Sequence, residues 1–179
     1  AQAMLAEQGV FVRGGLVIGK ATTGTADQQM AFGPAVAEAY ELESTSAIYP
    51  RIAICPQVLS QYKMNDALKA EQNSSDFDER YVFSMVRSSL TGPWLDYLAV
   101  ARDNLEPEQH IVFCRTHAEN IAACMEKFGN QRRVMEKYLW LASYHNQHIA
   151  TTFDNDAHND LVVDISVSAP NGWLLPQTL

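Results

Sequence analysis

Two consecutive glycines, Gly14 and Gly15, interrupt an otherwise β-prone run from Val10 to Gly19, and they limit the fold more than any other feature of the chain. In an extended run, Val10, Val12, Gly14, Leu16 and Ile18 share one face. Phe11, Arg13, Gly15, Val17 and Gly19 share the other. Paired glycines in a strand mark either a bulge or a place where another backbone or a ligand comes close. A polar surface loop follows at 20–29, and then Gly33-Pro34 opens a helix, because proline at the first helical position gives up only a hydrogen bond that would be unmade anyway. On this helix Ala35, Val36, Ala39 and Leu42 form a buried stripe, Ala37 and Glu41 share a neighbouring face, and Glu38 and Glu41 read as solvent-facing. After Tyr49-Pro50, Arg51 to Cys55 reads as a second strand. The unit from Val10 to Ile54 is therefore β-loop-α-β. It predicts an α/β domain with both strands in one sheet and the Gly33 to Ser44 helix packed on it. Arg13 and Arg51 each lie in an apolar strand, so each requires a carboxylate, with Glu38, Glu41 and Glu43 the candidates, or an anionic ligand.

The rest of the chain reads in simpler terms. Ala3, Met4 and Leu5 suit a short helix docked on the sheet and closed by Gly9. Pro56 starts a helix with Val58, Leu59, Tyr62 and Leu68 on its packed side. Residues 73–79 (NSSDFDE) form a linker, Tyr81 to Val86 is β-prone, and Thr91-Gly92-Pro93 makes a turn. From Pro107, Ile111, Cys114, Ala118, Ile121, Met125 and Phe128 recur in steps of three and four, which predicts a helix. Gly129-Asn130 breaks it. A second helix carries Val134, Tyr138, Leu141, Ala142 and Ile149, giving an antiparallel hairpin over 107–153, and Leu161 to Val167 alternates as a last strand. The expected organisation is 1–72, an α/β domain; 73–106, a linker with a short strand and helix; and 107–179, the helical hairpin with its terminal strand.

Composition excludes several classes. An apolar fraction of 47% over 179 residues excludes a disordered chain. No apolar run approaches the roughly 20 residues of a membrane span, and the first residues lack the pattern of a signal peptide, so a cytoplasmic protein without a membrane partner is expected. The chain opens on Ala1 and reads as starting inside a domain. A net charge of −8 gives no basic field for nucleic acid, though a few local cations suffice for a nucleoside triphosphate. Cys55, Cys114 and Cys124 form no CxxC pair and are expected to be reduced, small apolar residues. His145 and His148 lie three apart on a helix without an HExxH-like partner, so no metal site is expected, and His145 is read as hydrogen-bonded to the facing helix.

Class III nucleotidyl cyclases carry a strand of the sense RxGixxG, a variable loop, a helix with Gxx-V-N-x-A-x-R-L-E, and a strand xIxV. Val12-Arg13-Gly14-Gly15-Leu16-Val17-Ile18-Gly19 resembles the first strand, Gly33, Val36, Ala39, Leu42 and Glu43 the helix frame, and Arg51-Ile52-Ala53-Ile54 the next strand. FGPA, AYxLES and AxYPRI are similar to phrases of the pyrimidine-cyclase branch of bacterial anti-phage signalling. KYLWLASYHN is similar to C-terminal extensions of related bacterial proteins. The resemblance implies a partial ferredoxin-like cyclase sheet with packed helices and a site shared in a dimer. It also implies a nucleoside triphosphate held by Arg13, Gly14, Gly15, Lys20 and Gly33, with Arg51 catalytic. The complete family site uses Mg²⁺ or Mn²⁺ on two aspartates from strands that would precede Ala1. Two departures matter: the family's asparagine falls on Ala37, which cannot donate a hydrogen bond, and its arginine on Glu41, which repels a triphosphate. One reading is a part of a cyclase, silent alone, that makes a cyclic nucleotide when completed by a missing N-terminal half or a second copy. The other is a cyclase-like sensing or interaction module without catalysis.

Overall fold

The computed structural model describes residues 1–24, 30–65, 79–153 and 158–165. The chain divides into two compact units, one of residues 13–96 and one of residues 1–12 with 97–179. These divisions fall at 12/13 and 96/97, unlike the division at 72/73 and 106/107 read from the sequence. The reason is that the β-prone segments after the linker join the same sheet as the glycine strand.

The sheet unit holds a four-stranded mixed sheet in the order β1 (Gly14–Leu16), β4 (Ile52–Ile54), β6 (Gly92–Leu95), β5 (Val86–Ser89). Strands β1 and β4 are parallel neighbours, pairing Gly14 with Ile52, Gly15 with Ala53 and Leu16 with Ile54. The remaining pairs are antiparallel, with Ala53 opposite Trp94. Helix α2 (Pro34–Ser46) connects β1 to β4 and packs on β1. The α/β class and the sharing of one sheet by both strands are therefore as expected.

Strand β1 is shorter than the run Val10 to Gly19. Its partner explains the limit, because Arg51 N–H bonds back to Tyr49 C=O at 2.7 Å, and this tight turn after Pro50 starts the ladder only at Ile52. At the other end Pro56 opens α3 (Pro56–Met64). The register is continuous through both glycines, so they form no bulge.

Gly15 instead lets a backbone approach. A Cβ there would overlap the carbonyl oxygen of Ala39 and lie 3.2 Å from Leu42 Cβ, while one on Gly19 would lie 3.1 Å from Ala35 Cβ. Glycines on the strand thus meet Ala35, Ala39 and Leu42 on the helix. Of the stripe expected to be buried, Ala35 is buried, Ala39 and Leu42 are half-buried, and Val36 stays exposed. The loop at 20–29 also contains structure: β2 (Thr22–Thr23) pairs with β3 (Ala31–Phe32), and residues 25–29 lie outside the described residues.

Beyond β4 the sheet unit departs further from the sequence reading. Leu68 and residues 73–78 of the linker lie outside the described residues. Tyr81 to Ser84 belong to α4 (Glu79–Ser84), and the strand begins only at Val86. Ring packing overrides β propensity here, since Phe83 meets Tyr62 of α3 edge-on with centroids 6.1 Å apart.

The second unit is helical. It contains α1 (Gln2–Glu7), α5 (Tyr97–Asn104), α6 (Pro107–Phe128) and α7 (Arg132–Thr152). A capping box between Glu106 and Gln109 starts α6. Helices α6 and α7 form the expected antiparallel hairpin, each about 30 Å long at the standard rise. Their antiparallel course is marked by His110 against His148 at one end and Phe128 against Tyr138 at the other.

Two expectations fail in this unit. Helix α1, expected to dock on the sheet, packs on helices of its own unit, where the Asn120 carboxamide of α6 donates to the carbonyls of Ala6 and Glu7, and Met4 is exposed. Residues Leu161 to Ile165 form no strand; Asn159–Leu161 is a 3-10 turn, and 166–167 lie outside the described residues. Val163 instead exchanges both backbone hydrogen bonds with the Asn146 carboxamide, at 2.9 and 2.8 Å, so a side chain replaces a strand partner.

Candidate functional site

The residues that sequence singles out lie in the sheet unit, where α2 separates them into two groups. At the helix N-terminus, Gly33 holds φ +129°, a conformation that favours glycine, and the Lys20 carbonyl accepts the Ala35 N–H at 3.2 Å. The Lys20 side chain is exposed. At the other end, about 20 Å away by the rise of a 13-residue helix, lie Arg13 and Arg51. A single triphosphate group cannot bridge Lys20 and both arginines over that length.

Both arginines are engaged by the fold. Arg13, just before β1 and 43% exposed at its side chain, forms an ion pair with Glu43 on the last turns of α2, one of the carboxylates expected for it. Arg51 is only 5% exposed. It donates to the Ser46 carbonyl at the C-terminus of α2 at 2.9 Å, to Ser89 Oγ at 3.3 Å and to Thr91 Oγ1, and its guanidinium lies 5.6 Å from the Trp94 ring centre. A cation there satisfies an end carbonyl and complements the helix dipole. Burial lowers the Arg51 pKa from its ordinary value, and nearby Tyr49 partly opposes the shift. Arg51 thus ties α2 to the β5–β6 hairpin through the neutral acceptors Ser46, Ser89 and Thr91, and the carboxylates expected from sequence, Glu38, Glu41 and Glu43, are not among these acceptors.

Ala37 and Glu41 sit one turn apart on the exposed side of α2. Gly14 faces away from the helix, and a Cβ there would meet only Ile52 Cγ1, at 3.9 Å. For Mg²⁺ or Mn²⁺ the donor set does not fit. Among the described residues of this unit no three histidine, cysteine or carboxylate groups converge, Glu43 is paired with Arg13, and Glu38 lies 3.6 Å from the Cys55 thiol.

The denser chemistry lies in the helical unit. His117 of α6 and His145 of α7 bond through their Nδ1 atoms at 2.9 Å. His145 Nε2 reaches the Leu161 carbonyl at 2.8 Å, and the Tyr97 hydroxyl reaches His117 Nε2 at 2.7 Å. A carbonyl only accepts, so His145 carries its proton on Nε2 and accepts at Nδ1. His117 then donates from Nδ1 and accepts the Tyr97 proton at Nε2. Every partner is satisfied with both rings neutral. Burial lowers the pKa of each, for His117 well below the ordinary value with help from His145 and His148, and for His145 against the raising effect of the Leu161 bond. The bond from His145 to the facing helix is the one expected from sequence.

Next to this chain lies a second group. His110 and Cys114 of α6 and His148 of α7 are all buried, with their ligand atoms within 4.8 Å of one another. His110 Nε2 is 3.1 Å from His148 Nε2 and 3.4 Å from Cys114 Sγ. Burial pushes the Cys114 thiol up to about 12 and lowers the His110 pKa. The sequence reading missed this grouping. The usable signal was His110 and Cys114 at i, i+4 on the same stripe as Ile121 and Met125, a spacing that puts both side chains on one helix face.

No protein-family model, curated protein or solved structure matches the chain.

Proposed function

We propose that this chain is part of a nucleotidyl cyclase-like protein that makes a cyclic nucleotide from a nucleoside triphosphate, and that it has no turnover of its own. The observation that supports this reading is the parallel β1–β4 pair joined through α2, with Gly15 beneath Ala39, since the resembling motif requires that strand–helix–strand order. The chemistry accounts for the silence. Cyclisation needs a positioned 3′-hydroxyl and cations on the phosphates. Ala37 offers no hydrogen bond, Glu41 carries the wrong charge, and Arg13 and Arg51 already hold the helix. Of the residues that the resemblance singles out, Lys20 and the Gly33 turn are left for phosphate. The metal carboxylates come from another chain or another part of a longer one, and such a shared site implies a homodimer or a complementary half.

The test is binding. Titration of the purified chain with ATP, GTP, CTP and UTP by saturation-transfer NMR should reveal weak binding of at least one, reduced in Lys20→Ala. No transfer to any of the four, or transfer unchanged by Lys20→Ala, would overturn the nucleotide reading.

A second reading, a non-catalytic interaction module, is favoured by Phe32, Val36 and Tyr40. Val36 and Tyr40 are four apart on α2, β3 packs against that helix, and all three side chains are exposed, Tyr40 to 72%. Light scattering after size exclusion should then show an oligomer that Tyr40→Glu dissociates. A monomer at high concentration contradicts self-association through this face.

A further inference from the structure

We propose that His110, Cys114 and His148 form a zinc site that clamps the α6–α7 hairpin, independent of any nucleotide. The geometry is close to that of a bound ion. Zinc holds histidine nitrogen at about 2.0–2.1 Å and thiolate sulfur at about 2.3 Å in a tetrahedron, which sets edges of about 3.3 Å between nitrogens and about 3.6 Å between nitrogen and sulfur. The corresponding edges are 3.1 Å and 3.4 Å. The third edge, from Cys114 sulfur to the His148 ligand nitrogen, is no longer than 4.8 Å, so an ion draws these two together by up to about 1.2 Å to reach the roughly 3.6 Å edge.

The surroundings suit a soft transition ion. The donors are two imidazoles and one sulfur, a set that favours zinc and neighbouring metals over Mg²⁺ or Ca²⁺. The three residues come from two helices, so one ion crosslinks the hairpin near the start of α6 and the end of α7. Aromatic rings wall the site. His110 stacks on Phe153 with centroids 5.3 Å apart and on Phe113 at 6.4 Å, and meets His148 edge-on. These walls fix the His110 ring plane and exclude bulk water. On binding, Cys114 S–H loses its proton to solvent as the Zn–S bond forms, and the imidazoles bind as neutral rings. Among the described residues three groups converge, which leaves a fourth tetrahedral position for a water molecule.

The test uses the whole chain produced with zinc in the medium and freed of loosely bound metal by gel filtration. Elemental analysis should find about one zinc per chain, falling at least tenfold in Cys114→Ala and in His148→Gln, and unchanged in Cys124→Ala, whose cysteine lies on α6 outside the group. Cobalt substituted into the wild type should give the intense visible bands of a tetrahedral ion and a thiolate-to-metal charge-transfer band that Cys114→Ala loses. The wild-type measurements decide the matter even if a variant misfolds. Zinc well below one per chain, an octahedral cobalt spectrum without charge transfer, or copper in place of zinc each overturns the assignment.

Discussion

Replacing Gly15 by alanine should destabilise the sheet unit, whereas the same change one residue earlier should not. The new methyl group at Gly15 would overlap the Ala39 carbonyl oxygen and press on Leu42 Cβ at 3.2 Å. Ordinary carbon contacts lie at about 3.5–4.0 Å, so α2 must move away from β1 along its contact stripe. Overpacking of this kind costs about 1–3 kcal/mol. Alanine also restricts the unfolded chain, which offsets about 0.4–1 kcal/mol. The net loss is then on the order of 1–2 kcal/mol. At Gly14 the methyl group meets only Ile52 Cγ1 at 3.9 Å, so the unfolded-state term stands alone and the variant should match or exceed the wild type. Urea unfolding followed by tryptophan fluorescence, to which buried Trp94 in β6 contributes, compares the two. Equal effects of the two substitutions, or a greater loss from Gly14→Ala, would refute the reading of Gly15 as the position where α2 packs on the strand.

Two further outcomes concern the helical unit. His117 and His145 are held neutral with folded pKa values below the unfolded value of about 6.5, so their contribution is present above that pH. It is lost as pH falls, at up to about 1.4 kcal/mol per pH unit for each ring, and a urea midpoint that stays flat between about pH 7.5 and 5.5 contradicts the neutral chain. Asn146→Ala removes both bonds to Val163 and should cost about 1–3 kcal/mol, read as faster amide exchange at Val163, whereas unchanged exchange means that other contacts hold the segment.

The β-loop-α-β unit was legible because its signals are local. Gly33-Pro34, the alanines at 35 and 39, and the apolar run after Pro50 all act within a few residues. The use of Arg51 was half legible: burial demanded a partner, but its partners include the Ser46 carbonyl and the distant hydroxyls of Ser89 and Thr91, which only the folded hairpin brings to it. The helix at Tyr81 to Ser84 was hidden because β-prone aromatics there pack on Tyr62 from another element. The His110–Cys114–His148 group was partly legible, since the i, i+4 pair is local to α6. Its third member, His148, comes from a helix that pairs with α6 only through the hairpin.

The most direct measurement incubates the purified 179-residue chain with Mn²⁺ and each of ATP, GTP, CTP and UTP, and searches for cyclic monophosphates by mass spectrometry. The account predicts none from any of the four, because Arg13 and Arg51 stabilise α2 and Ala37 and Glu41 cannot serve the transition state. A cyclic product formed by the wild type and lost in Lys20→Ala would contradict it, and would mean that this chain holds a complete site.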